Sequence, residues 1–83
     1  MSQKEKLIAR LMQIPRDFTF DEMKKLLELL GFHMSNKGKT SGSRVLFEKD
    51  DTPIHLHKPH PRKELREYQI RDILEILKRE GLI

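Results

Sequence analysis

The spacing of the apolar residues changes twice along this chain, and that change most constrains its fold. Apolar residues recur at helical spacing up to Leu30, alternate with polar residues between Phe32 and His57, and return to helical spacing near the end. Helices repeat every 3.6 residues and strands every two, so the pattern predicts the order α-α-β-β-β-α. We therefore expect one α+β domain, with a three-stranded antiparallel sheet whose helices pack on one face.

Two helices are predicted in the first part of the chain. The first covers Lys4 to Met12 and ends before Pro15, because proline disfavours helical conformation in the preceding residue. The second begins at a capping box, in which Thr19 and Glu22 satisfy each other's backbone amides. Gly31 supplies the left-handed turn that ends this helix.

A third helix is predicted at the end of the chain. It starts between Arg62 and Tyr68 and closes at Gly81. The segment Lys58 to Pro61 precedes it and contains two prolines, which fix the backbone and remove two amide donors. This segment is therefore expected to be a rigid connector. The apolar stripe of the helix consists of Ile70, Ile73, Leu74 and Leu77.

Three strands are predicted between the second and third helices. They cover Phe32 to Ser35, Ser43 to Glu48 and Ile54 to His57. The segment Asn36 to Gly42 is rich in turn residues and lysine, which indicates a flexible basic hairpin tip. A second turn is expected over Lys49 to Pro53.

Strand alternation predicts which side chains share a face of the sheet. Arg44, His55 and His57 are expected together on the open face, because successive side chains of a strand point to opposite sides. A register shift of one residue would reverse this arrangement. The apolar residues expected under the helices are Val45, Phe47, Ile54 and Leu56.

The charge distribution indicates an anionic partner. The net charge is +4, and residues 33 to 63 hold seven Lys/Arg against three Asp/Glu together with all four histidines. Such a segment suits a phosphate backbone.

Length and composition exclude other classes of protein. At 83 residues the chain is expected to form a single domain, with residues 1–15 as an added N-terminal helix and 19–83 as the core. It has no cysteine and no apolar run or leader typical of a membrane or secreted protein, so we expect a cytoplasmic protein without disulfides or thiolate metal sites.

The three polar residues of the open face suit cleavage of an RNA phosphodiester. Histidine can donate or accept a proton near neutral pH, so His57 and His55 are candidates for acid and base. Arg44 can bind phosphate through paired hydrogen bonds but stays protonated. This chemistry requires no metal and no small-molecule cofactor.

Other sites fit the residues less well. His55, His57 and His60 are close enough in sequence to suggest a zinc or nickel site. Their spacing is unlike the usual motifs, however, and no carboxylate is placed to complete the ligand shell, so no metal site is predicted. The loop with Gly38 and Gly42 lacks the strand and helix that flank a nucleotide-binding loop.

Several segments together resemble the HicA family of toxins. The resemblance spans roughly Thr19 to Ile83 and depends on Gly42-Ser43 opening the second strand and on Pro59-His60-Pro61 before the last helix. It implies a fold like that of the double-stranded-RNA-binding domain, cleavage of messenger RNA, and neutralisation by an antitoxin of the HicB family. The helix before Pro15 extends beyond the minimal family pattern.

One position departs from the family. In HicA toxins the Gly-Ser pair is followed by the catalytic histidine, whereas this chain has Arg44, which cannot act as acid or base near neutral pH. Three interpretations remain: the chemistry has moved to His55 or His57, the chain binds RNA without cutting it, or the toxin is degenerate.

Two further functions are compatible with the sequence. A non-catalytic RNA-binding module would recognise phosphate and 2'-OH groups. A protein-interaction domain would use an exposed Leu46 and charged helices instead. The residues predicted to contact RNA are Lys37, Lys39, Ser43, Arg44, Lys58, His60, Arg62 and Lys63.

Overall fold

The computed structural model describes residues 2–35, 44–59 and 61–83. Three helices and three strands lie in these ranges, in the predicted order α-α-β-β-β-α. The strands form an antiparallel sheet in the order β1-β2-β3, which confirms the α+β class. The elements are α1 (Gln3–Met12), α2 (Phe20–Leu29), β1 (His33–Ser35), β2 (Arg44–Lys49), β3 (Thr52–His57) and α3 (Glu67–Arg79).

Helix α2 begins and ends where the sequence predicts. The Thr19 hydroxyl accepts a hydrogen bond from the Glu22 amide at 3.1 Å, and the Glu22 carboxylate accepts one from the Thr19 amide at 3.0 Å. The capping box is therefore confirmed. Gly31 follows with φ +101°, and Gly81 follows α3 with φ +71°, so both predicted glycine ends are confirmed.

The turn between β2 and β3 is shorter than predicted. The sequence suggested a turn over Lys49 to Pro53, but Lys49 pairs with Thr52 and only Asp50 and Asp51 connect the strands. Asp50 has φ +52°, as the favoured two-residue hairpin turns require. Pro53 lies within β3, which is an edge strand. Proline has no N–H to donate, and it is tolerated on an edge strand because no further strand is present there to accept a hydrogen bond.

Some predictions fall on residues that the structure does not describe. The hairpin tip Asn36 to Gly42 is among them, as are Ser43 and His60. Those predictions remain untested. Among the described residues, β1 begins at His33 rather than Phe32, and α3 begins at Glu67, within the predicted interval.

The apolar core lies between one face of the sheet and the three helices. Phe47, Ile54 and Leu56 are buried on the sheet, and Val45 is partly buried beside them. All three helices contribute to the same apolar cluster. The other face of the sheet therefore carries no helix among the described residues. The principal helical members of the cluster are Leu7, Leu11, Met23, Leu26, Leu27, Ile70, Ile73 and Leu77.

Helix α1 is packed into this core. Leu11 is fully buried and Leu7 nearly so. Arg10 also forms ion pairs with Asp17, at 2.7 Å, and with Glu22, and its guanidinium lies 5.3 Å from the centre of the Phe18 ring. Partly exposed ion pairs contribute only about 0–1 kcal/mol each, so the buried leucines dominate the attachment of α1.

Replacing Leu11 with alanine tests this attachment. We expect Leu11→Ala to lower the free energy of unfolding by about 2–5 kcal/mol, because a fully buried side chain leaves a cavity. Urea denaturation would measure the change.

Met12→Ala is the matched control. Met12 is the next residue of the same helix but is 49% exposed, so its replacement should change stability by no more than about 0.5 kcal/mol. Equal stability of the two variants would show that α1 is not part of the cooperative core.

Candidate functional site

The register of β2 and β3 brings three predicted site residues together. Arg44 lies directly opposite His57, and Leu46 lies opposite His55. Arg44, His55 and His57 are all exposed. Directly opposed residues of an antiparallel pair have Cβ atoms about 4.5–5.5 Å apart, so side chains at these positions can act on one ligand. The predicted grouping on the open face of the sheet is confirmed.

The two histidines have a defined spacing along β3. They are two positions apart on the same side of the strand, so their Cα atoms lie roughly 6.5–7 Å apart. His57, at the end of the strand, is the histidine directly across from Arg44.

The remainder of the open face is less basic. On β1, Ser35 lies opposite Leu46 and His33 opposite Glu48. On the open face of β2, the positive Arg44 and the negative Glu48 therefore lie at opposite ends, so an anion would be attracted to the Arg44 end of this face.

Leu46 does not form the exposed apolar contact that a protein-interaction domain was expected to offer. It is only partly exposed, because Ser35 and His55 occupy the positions on either side of it on the neighbouring strands. Among the described residues, the large apolar side chains that are exposed lie elsewhere: Met12, Leu29, Met34 and Tyr68.

The connector after β3 is held against the start of α2. The Leu65 amide donates to the Phe18 carbonyl at 2.8 Å, and the Phe20 amide donates to the Lys63 carbonyl at 3.0 Å. Leu65 is 2% exposed and anchors this segment in the core. This anchor was hard to predict from the sequence, because Leu65 stands alone between charged residues.

The anchored connector brings three predicted RNA-binding residues together. Lys58, Arg62 and Lys63 line a cavity of about 210 Å³ beside the start of α2. The Lys58 ammonium lies 5.7 Å from the centre of the Phe20 ring, an arrangement suited to a cation–π contact. Asp21 also lines the cavity, so its charged side chains are three cations and one carboxylate. The other predicted contacts, at Lys37, Lys39, Ser43 and His60, lie outside the described residues.

A second cavity, of about 90 Å³, lies where β3 meets the start of α3. The buried Gln69 spans this junction, since its side-chain amide donates to the His57 carbonyl at 3.0 Å and accepts from the Arg66 amide at 2.9 Å. Gln69 thereby ties the end of β3 to the helix. Sequence reasoning missed it, although a glutamine three residues after a helix cap is half of a capping-box pattern.

Neither a metal cluster nor a membrane span occurs in the part of the chain that the structure describes. Within residues 2–35, 44–59 and 61–83 there is no group of three histidine or acidic side chains that could hold a metal ion. His60, the third member of the considered histidine set, lies outside these ranges. No described helix is long and apolar enough to cross a membrane.

Comparison with known proteins identifies the family. A model of the HicA toxins of bacterial toxin–antitoxin systems matches residues 20–79, from the start of α2 to the end of α3. Comparisons with curated proteins and with solved structures gave no match. The matched region includes the whole sheet, the Arg44–His57 pair and the charged residues that line the two cavities, and it leaves out α1. The chain therefore belongs to the HicA family of toxins of bacterial toxin–antitoxin systems.

Proposed function

We propose that this toxin is a cytoplasmic endoribonuclease that cleaves messenger RNA without a metal ion or other cofactor. The observation that carries the proposal is the register of β2 and β3, which sets Arg44 opposite His57 with His55 on the same exposed face. Membership of the HicA family supports RNA as the target. A basic cavity adjoins the end of the same strand and supplies further cations for the phosphate backbone.

The chemistry follows from the three side chains. One imidazole removes the proton of a ribose 2'-OH, and the 2'-oxygen attacks the adjacent phosphorus. The other imidazole protonates the departing 5'-oxygen, so the products are a 2',3'-cyclic phosphate and a free 5'-OH. Arg44 donates paired hydrogen bonds to the non-bridging oxygens, where negative charge increases in the transition state.

Basic residues outside the strands position the RNA. Lys58, Arg62 and Lys63 contact the phosphates that precede or follow the cleaved bond. Lys37, Lys39, Ser43 and His60 are proposed to extend this surface on sequence grounds. Phosphate contacts carry no sequence information, so these residues set affinity and orientation rather than base preference.

A partner protein of the HicB family is proposed to restrain the toxin. The open face carries Arg44 and two histidines with no helix over them in the described structure. An antitoxin that presents acidic or apolar surface to this face would exclude RNA and complement its charge.

RNA binding without cleavage is the alternative function. The identity of Arg44 favours it, because the family resemblance assigns a catalytic histidine to this position and a guanidinium does not exchange protons near neutral pH. In this case the basic face would hold RNA by its phosphates and 2'-OH groups alone.

Histidine variants test the cleavage step. End-labelled messenger RNA is incubated with the protein in chelator, and the rate of cleavage is measured. His57→Ala should slow cleavage by roughly 100-fold or more, because a positioned acid or base contributes about 10²–10⁴-fold, and His55→Ala should act in the same direction.

His33→Ala is the matched control for these variants. His33 is exposed on the same face of the sheet, but it lies on β1 opposite Glu48, two strands from His57. Its replacement should leave the rate unchanged. Cleavage that continues undiminished in both His55→Ala and His57→Ala would exclude the proposed mechanism.

Arg44→His distinguishes cleavage by His55 and His57 from RNA binding without cleavage. If Arg44 clamps the phosphate, its loss should lower the cleavage rate by about 100-fold, the typical effect of removing one electrostatic donor. The same labelled-RNA assay measures this. A natural chain that leaves RNA intact, together with a cutting Arg44→His variant, would instead establish the alternative function.

Salt dependence tests the basic cavity. Affinity for a single-stranded RNA should fall as salt rises, and Lys63→Ala should reduce the slope of log affinity against log salt by about 0.7 for one lost phosphate contact. Lys78→Ala is the control, since Lys78 lies near the far end of α3, about 18 Å along the helix from Arg66. If the slope of log affinity against log salt were the same for the natural chain and Lys63→Ala, the RNA would not contact the cavity lined by Lys63.

A further inference from the structure

Tyr68 is the one aromatic residue of the chain whose side chain lies outside the core. The four phenylalanines are between 0% and 6% exposed, whereas Tyr68 is 59% exposed. It occupies the second position of α3 and lines the 90 Å³ cavity together with His57. An aromatic ring at the rim of a polar cavity offers a flat apolar surface with a hydroxyl at its edge.

The surroundings of Tyr68 favour a nucleotide over an apolar ligand. Arg62 and Arg66 line the same cavity, and Arg62 lies 3.8 Å from the carboxylate of Glu64. Arg66 is exposed and forms no ion pair with any residue in the described ranges. The cavity therefore combines a stacking surface with a cation available to a phosphate.

We propose that this cavity is a subsite for one unpaired RNA nucleotide, whose base stacks on Tyr68 and whose phosphate binds Arg66. The inference rests on the proposed function and names its substrate class as single-stranded RNA. In an A-form duplex each base face is covered by its neighbours, so a protein ring can stack only on an unpaired base. Stacking tolerates every base, and Tyr68 therefore selects for single strands rather than for a sequence.

Gln69 connects the backbone of this subsite to the backbone of the proposed catalytic histidine. Its side chain bonds both the His57 carbonyl and the Arg66 amide, and it immediately follows Tyr68. The stacking ring and His57 are thus held by one buried group. Because His57 and Tyr68 line the same cavity, the stacked nucleotide is proposed to lie next to the phosphate that His57 contacts.

A fluorescent base measures the stacking directly. The probe is a short unpaired RNA containing 2-aminopurine, whose fluorescence falls when it stacks on an aromatic ring. Titration with the natural chain should quench it. Tyr68→Leu, which keeps an apolar side chain but removes the ring, should abolish the quenching and weaken binding roughly 5- to 150-fold.

Two controls accompany this titration. Tyr68→Phe retains the ring and should bind like the natural chain. A fully paired RNA of the same composition should bind the natural chain and Tyr68→Leu equally, because it offers no free base. Thermal unfolding of each variant should match the natural chain, since the Tyr68 side chain is largely exposed.

The outcomes separate this subsite from the proposed function. Failure of the natural chain to bind any RNA overturns both. Normal RNA binding that is identical in Tyr68→Leu overturns the subsite alone and leaves Tyr68 as a surface for a protein partner. Loss of binding to paired and unpaired RNA alike in Tyr68→Leu also overturns it, because the ring would then not be reading an unpaired base.

Discussion

The pairing of β2 with β3 is the constraint on which the rest of the structure depends. Val45 pairs with Leu56 and Phe47 with Ile54, and these apolar residues face the helices. A shift of one residue would bury charged side chains and expose the apolar ones, so the core itself enforces the register. The same register places Arg44 opposite His57 on the far side of the sheet. The energy that holds the candidate site together is thus apolar burial on the opposite face, and the site residues need not contribute to stability.

A second set of contacts positions the segment that follows β3, beside the open face of the sheet. The backbone bonds of Leu65 and Phe20 fasten the connector to the start of α2, and Gln69 fastens the end of β3 to α3. These hydrogen bonds involve the buried residues Leu65 and Gln69, so they are shielded from water. They hold Lys63 and Leu65 against α2 and the end of β3 against α3. Helix α1 contacts both α2 and α3 and packs Leu11 into the shared core, so it stabilises the positions of these two helices.

The sequence predicted the features that depend on local rules and missed those that depend on tertiary contacts. The capping box at Thr19, the glycine helix end at Gly31 and the shared face of Arg44 and the histidines all follow from spacing within one or two elements. The turn after β2 was predicted too long, because Pro53 was interpreted as a turn residue and its tolerance at a sheet edge depends on strand order. Ile14, which follows α1 with φ +49°, carries no sequence signal for a left-handed conformation, since branched residues rarely adopt it. Leu65 and Gln69 were missed because their partners are distant in the chain or lie on another element.

The histidine count limits how the proposed RNA cleavage could proceed. Cleavage through a 2'-oxygen needs one group to accept a proton and another to donate one, and Arg44 can do neither near neutral pH. The chain has four histidines, and His33 lies on β1 opposite Glu48, four residues along β2 from Arg44. An imidazole pair beside Arg44 must therefore be drawn from His55, His57 and His60, and the first two share the face that the register fixes. An arginine opposite His57 then has a coherent role, because a permanent cation stabilises the negative charge that develops on the phosphorane.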